Sequence, residues 1–123
     1  MEAEAILYVI ALCEANQLEL LSSEVLIFET KRIPNIIRRE NVFEILKLAQ
    51  KVIMLNDDIE NHAKKLIKTG LKPLDALHLA AASHESADFF CTSDDKFLKK
   101  AKGIEGINTV AVSPLELIGE VEK

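Results

Sequence analysis

Apolar residues near the start of the chain recur with a helical beat. Over residues 2–16, Ile6, Val9, Ile10 and Cys13 fall three or four apart, which places them on one face of a helix. A short apolar stretch at 18–21 predicts a strand, and Ser22-Ser23 then offers a hydroxyl to cap a helix over 24–33. Pro34 breaks that helix. The pattern resumes over 35–50 with Ile37, Val42, Ile45, Leu46 and Leu48, and residues 52–55 predict a second strand. Asn56 or Asp57 caps the next helix, which stops at Gly70, a residue suited to the left-handed backbone just past a helix end. Pro73 suits the first turn of a helix running through 86. Phe89-Phe90-Cys91 then predicts a buried strand, 94–102 a helix and 109–112 a strand, and Ser113-Pro114 opens a last helix.

Short strands alternating with helices predict a parallel sheet covered on both faces, a three-layer α/β/α architecture. Ligands of such sheets bind beyond the carboxyl ends of the strands. Asp94 and Asp95 directly follow the strand at 89–91, so they lie at that edge. The helix over 73–86 feeds the same strand and must run antiparallel to it, which brings Asp75, in its first turn, to the same place. Glu29 sits in the second turn of the helix after the first strand and reaches the same neighbourhood. It falls one turn after Val25, beside the core-facing stripe, where a carboxylate needs a partner.

Each acid has a simpler role when taken alone. Asp75 suits a helix N-terminus, worth about 0.3–1 kcal/mol against the macrodipole. Asp94 is a good N-cap, Asp95 a first-turn acid, and Glu29 a surface partner for Arg32 or Arg38. Convergence changes the picture, because several carboxylates at one edge repel one another until something neutralises them. Mg²⁺ and Mn²⁺, hard cations that prefer oxygen, do this. His78, one turn after Asp75, reads as a ligand, a general base or a packed core histidine; His62 and His84 have no evident partner.

Composition narrows the classes. A length of 123 residues fits one domain spanning 1–123. With 49 % hydrophobic and 28 % charged residues the balance is that of a soluble globular chain. No apolar run approaches the ~20 residues of a membrane span, and the acidic start, MEAEAIL, lacks the basic region of a signal peptide, so a cytoplasmic protein is expected. Cys13 and Cys91, in apolar surroundings and at no metal-like spacing, predict buried thiols in a reducing compartment. A net charge of −5 argues against general nucleic-acid binding. It leaves room for a local basic rim from Lys31-Arg32 with Arg38-Arg39, from Lys64, Lys65 and Lys68, or from Lys96, Lys99, Lys100 and Lys102, whose plainest reading is solvated helix faces. No phosphate-cradling glycine loop, G-x-S-x-G elbow or Cys–His metal spacing is present.

The stretch KPLDALHLAAASHESADFFCTSDDKFLKKA resembles the C-terminal half of a PIN domain, the metal-dependent nuclease fold of VapC-type toxins. The matching features are Asp75-Ala76, the small residues Ala80-Ala81-Ala82, Ala87-Asp88, the apolar strand, and Thr92-Ser93-Asp94 followed by Phe97. SSEVLIFE resembles the segment carrying the family's second acid, here Glu29, and the likeness extends over about residues 2–118. The resemblance implies an endoribonuclease that hydrolyses RNA phosphodiesters with Mg²⁺ or Mn²⁺. Glu29, Asp75 and Asp94 would be the ligands and Asp95 an auxiliary one. Lys96, Lys99 and Lys100 would meet RNA phosphates, and Thr92 would orient a ligand or water. It also implies the toxin of a toxin–antitoxin pair, with an antitoxin protein as partner.

The family pattern opens with a strand ending in an Asp, the first metal ligand. This sequence opens in the helix that follows and has no Asp before Asp57, so the sheet is expected to lack its first central strand. Two strand edges would then face a gap, and either a sheet closed across it or a homodimer covering it is expected. The absent acid supports a second reading, a catalytically inactive PIN-like protein-interaction module. A receiver-like phospho-acceptor is a third, for which Asp94 with Thr92 gives only a thin match.

Overall fold

The structure is a computed structural model and describes residues 2–123. In chain order the elements are α1 (Glu2–Glu14), β1 (Leu21–Ser23), α2 (Glu24–Lys31), α3 (Ile36–Leu46), β2 (Lys51–Ile53), α4 (Asp57–Lys68), α5 (Pro73–His84), β3 (Phe89–Cys91), α6 (Asp95–Lys102), β4 (Val110–Val112) and α7 (Pro114–Val121).

Side-chain caps set most helix starts, each satisfying a backbone N–H that the helix leaves free. Ser23 Oγ accepts from the Leu26 amide at 3.0 Å, Asn35 Oδ1 from Arg38 at 2.9 Å, and Asn56 Oδ1 from Ile59 at 2.9 Å. At α7 the cap is reciprocal: Ser113 Oγ accepts from the Glu116 amide, and the Glu116 carboxylate accepts from the Ser113 amide. Pro73 and Pro114 occupy first-turn positions, where no amide hydrogen is needed. Gly70, with φ 109°, ends α4 in a conformation that costs other residues strain.

The first strand is displaced from its expected place. Asn16 adopts φ 60°, and the amides of Gln17 and Leu18 both turn back to the Leu12 carbonyl. Closing α1 in this way uses residues 17–18, so pairing begins only at Leu21. The third helix is shorter than expected for a related reason. The amides of Leu48 and Ala49 return to Ile45 and Leu46, and Gln50 donates to the Leu20 carbonyl at 3.0 Å, which leads the chain into β2.

Both strand pairings are parallel, as the alternation of strands and helices predicts. Ser22 lies opposite Val52, and Phe90 opposite Ala111. The pairs remain separate: β1–β2 is one two-stranded sheet and β3–β4 another. The expectation of one sheet closed across the gap is therefore wrong for the described residues. Helices hold the pairs instead of lateral hydrogen bonds, for α5 packs on both α2 and β3.

The core lies where α4 and α5 form an antiparallel hairpin. Ile59 and Leu79 are fully buried, and Ala76 and Ala80 let the helices approach closely. Phe97 of α6 meets Phe90 of β3 edge to face, with ring centroids 5.4 Å apart, and fastens the second sheet to this core.

Candidate functional site

Three segments bring polar groups to one place beside this core. The first two turns of α5 carry Asp75 and His78, the second turn of α2 carries Glu29, and the turn after β3 carries Thr92 and Asp94. His78 Nε2 is hydrogen-bonded to Glu29 Oε1, bridging α5 and α2. Glu29 thus pairs across the fold, not with Arg32 or Arg38. Arg32 lies over the Phe28 ring, 5.3 Å from its centroid.

The Asp75 carboxyl is held above the ordinary carboxylate range. Burial is the largest cause, and the negative charge of Asp94 is the next. His78 and Lys72 pull the other way, while Glu29 adds a further small push upward. Glu29, Asp75 and Asp94 therefore share one field, although they come from three different elements.

Asp94 has two tasks. Its Oδ1 caps α6 by accepting from the Phe97 amide at 3.1 Å, and its own amide donates to Thr92 Oγ1 at 3.1 Å. The Thr92 amide in turn donates to the Val112 carbonyl at 3.0 Å, prolonging the β3–β4 ladder by one bond. Thr92 therefore fixes the turn that presents Asp94. Asp95 is an exposed first-turn residue of α6 and is not among the groups acting on Asp75.

The α6 lysines separate by role. Lys100 Nζ donates to the Gly70 carbonyl at 3.0 Å and ties α6 to the α4–α5 loop. Lys96 and Lys99 are exposed. Lys72 was not singled out in the sequence, yet its ammonium is the lysine charge that acts on Asp75. Its signal was present in KPLD, where a cation stands one helical turn ahead of the acid.

The oxygen donors of Glu29, Asp75 and Asp94 suit a hard divalent cation, and the mutual repulsion felt at Asp75 is what such a cation relieves. Among the described residues, no three His, Cys, Asp or Glu side chains are grouped so that they could hold a metal ion. The fit is one of donor chemistry: three carboxylates, each able to offer oxygen to a hard cation.

An apolar groove of about 240 Å³ adjoins the turn, lined by Ile6, Val9 and Ile10 of α1, Cys91 to Ser93, and Pro114. The expectation of two buried thiols fails here. Cys13 is half-buried and Cys91 is exposed, because β3 is paired on one side only. The Cys91 thiol is nonetheless pushed up to about 11, first by burial and then by Cys13. The exposed surface and the desolvated thiol are compatible, since the groove wall the residue joins is almost wholly apolar.

No helix among the described residues is long and apolar enough to cross a membrane. Searches of curated proteins and of solved structures gave no match. The family model of the PIN domain matches residues 2–103, a span that holds α1 through α6 and every acid of the cluster. On that match, the chain belongs to the PIN domain family.

Proposed function

We propose that this protein is an endoribonuclease that cleaves RNA phosphodiesters with Mg²⁺ or Mn²⁺. PIN domains are nucleases at the family level, generally depend on divalent metals and bind RNA. The observation that carries the reading is the convergence of Glu29, Asp75 and Asp94 from three elements on the edge where α/β sheets bind ligands, where the Asp75 carboxyl is held above the ordinary range first by burial and then by the charge of Asp94.

In this reading Glu29, Asp75 and Asp94 would hold the cation, and Asp95, outside the shared field, is left at the α6 surface. A bound divalent ion supplies an activated water and stabilises the leaving oxygen. Asp94 is held in place by its cap to α6 and by Thr92. Lys72, Lys96 and Lys99 draw the phosphate backbone toward the acids, and Lys100 steadies the loop that carries Lys72. As a cytoplasmic toxin the protein would be restrained by an antitoxin and would act as a homodimer.

A second reading, an inactive interaction module, draws on the apolar surface of α1 and α2. Leu7 is 66 % exposed, Phe28 49 % and Tyr8 46 %.

Calorimetric titration with Mn²⁺ and cleavage of a labelled RNA separate the two. The nuclease reading expects Mn²⁺ binding, metal-dependent cleavage, and a loss of at least about 100-fold in rate for Asp75→Asn. A folded protein that neither binds Mn²⁺ nor cleaves RNA would favour the interaction module.

A further inference from the structure

The bridge between α5 and α2 links a largely buried side chain to a more exposed one. Glu29 has a long side chain on a helix of two turns, and that side chain is 40 % exposed. Left alone it would sample solvent. Two cations near it in sequence are engaged elsewhere: Arg32 lies over Phe28, and Arg39 donates to the Ile33 carbonyl at 3.1 Å. His78 is the opposite case. Its side chain is only 15 % exposed, and its helix buries Ala76, Leu79 and Ala80 in the core, so the ring has little freedom. Asp75 and His78, three residues apart, share a face of α5. A carboxylate only accepts hydrogen bonds, so Nε2 of His78 carries the hydrogen that Glu29 receives.

We propose that His78 is a positioning residue: its Nε2–H holds the Glu29 carboxylate on the Asp75 face of α5, ready to receive a divalent cation. The inference rests on the nuclease reading for the identity of that cation. His78 need not touch the cation or the RNA. It acts through Glu29 by fixing in advance an oxygen donor that would otherwise have to be ordered when the cation binds. Hydrogen-bond partners of metal ligands commonly set metal affinity by 10–100-fold, and an exposed glutamate on a short helix has much to gain from one.

The test is Mn²⁺ affinity, measured on the full chain by the electron paramagnetic resonance of free Mn²⁺, with circular dichroism to verify folding. His78→Leu keeps the apolar packing and removes the donor; we expect about a tenfold weaker affinity. His78→Gln retains an N–H donor at similar reach and is expected to recover to within about threefold of the parent. In a Glu29→Ala background, His78→Leu should add no further loss, because nothing remains for it to position. The proposal is overturned if His78→Leu binds Mn²⁺ within about twofold of the parent, or if its full loss persists in the Glu29→Ala background. It is also overturned if a folded His78→Gln is as weak as His78→Leu. A parent protein that binds no Mn²⁺ overturns this proposal together with the nuclease reading. A parent that binds and variants that do not differ from it overturn this proposal alone.

Discussion

Two faces of α5 obey opposite rules. On one, Ala76, Leu79 and Ala80 have no exposed surface and pack against Ile59, Ala63 and Leu66 of α4. On the other, Asp75 is pushed above the ordinary carboxylate range, first by burial and then by the charge of Asp94, with Glu29 adding to it. The first face is satisfied by apolar contact. The second holds like charges that a fold selected for stability alone would disperse. That contrast is why we propose the acid face as the functional one, and it predicts that damage to each face has different consequences.

The largest effect is expected on the apolar face. Leu79→Ala removes a fully buried side chain between two helices and should cost about 2–5 kcal/mol in guanidinium denaturation. Leu7→Ala, at a site 66 % exposed, should stay within about 0.5 kcal/mol. Equal costs at the two positions would break the picture of a core concentrated on α4 and α5. A middle effect is expected at the α4 N-terminus. Asn56 caps a first turn that carries Asp57, Asp58 and Glu60, and Asn56→Ala should cost about 1 kcal/mol. Because Asn56 caps α4 and is not among the groups acting on Asp75, Mn²⁺ affinity should not change with it; a parallel loss of affinity would show that the two faces are coupled.

What the sequence made legible was largely local. The strand at Phe89–Cys91 was readable to the residue, and so were the caps at Asp94 and Ser113; for α2 and α4 the sequence narrowed the cap to Ser22 or Ser23 and to Asn56 or Asp57, because cap chemistry depends on a few neighbouring residues. The strand at Leu21–Ser23 was misplaced because its start depends on how α1 closes through Asn16 and on pairing with Lys51, neither of which the strand's own residues encode. The edge rule for parallel sheets brought Asp75, Asp94 and Glu29 to one region. It did not distinguish Asp94 from its neighbour Asp95, since one residue of helix rotation decides which acid faces Asp75. Nor could it see the bond between His78 and Glu29, which joins residues 49 apart and needs the packing of α2 on α5. Cys91 was misjudged because apolar neighbours announce a core strand equally well when one edge of that strand lies open.

The smallest expected effect tests the contrast most directly. Asp75 has a folded-state pKa above its unfolded value, so the fold prefers the protonated form. The stability tied to that preference is complete below the ordinary aspartate pKa, near about 3.9, and is lost as pH rises through the folded value. Asparagine imitates the neutral carboxyl at every pH. With a chelator present, Asp75→Asn should therefore melt higher than the parent at neutral pH, and the difference should vanish in acid. The gain is limited to on the order of 1–2 °C, because a negative charge at the α5 N-terminus is itself favourable and the substitution forgoes it. Added Mn²⁺ should reverse the order, since a cation bound only to the folded parent raises its melting temperature by mass action. If Asp75→Asn instead melts lower at neutral pH without metal, the macrodipole and Lys72 outweigh the repulsion, and the acid face is an ordinary helix end.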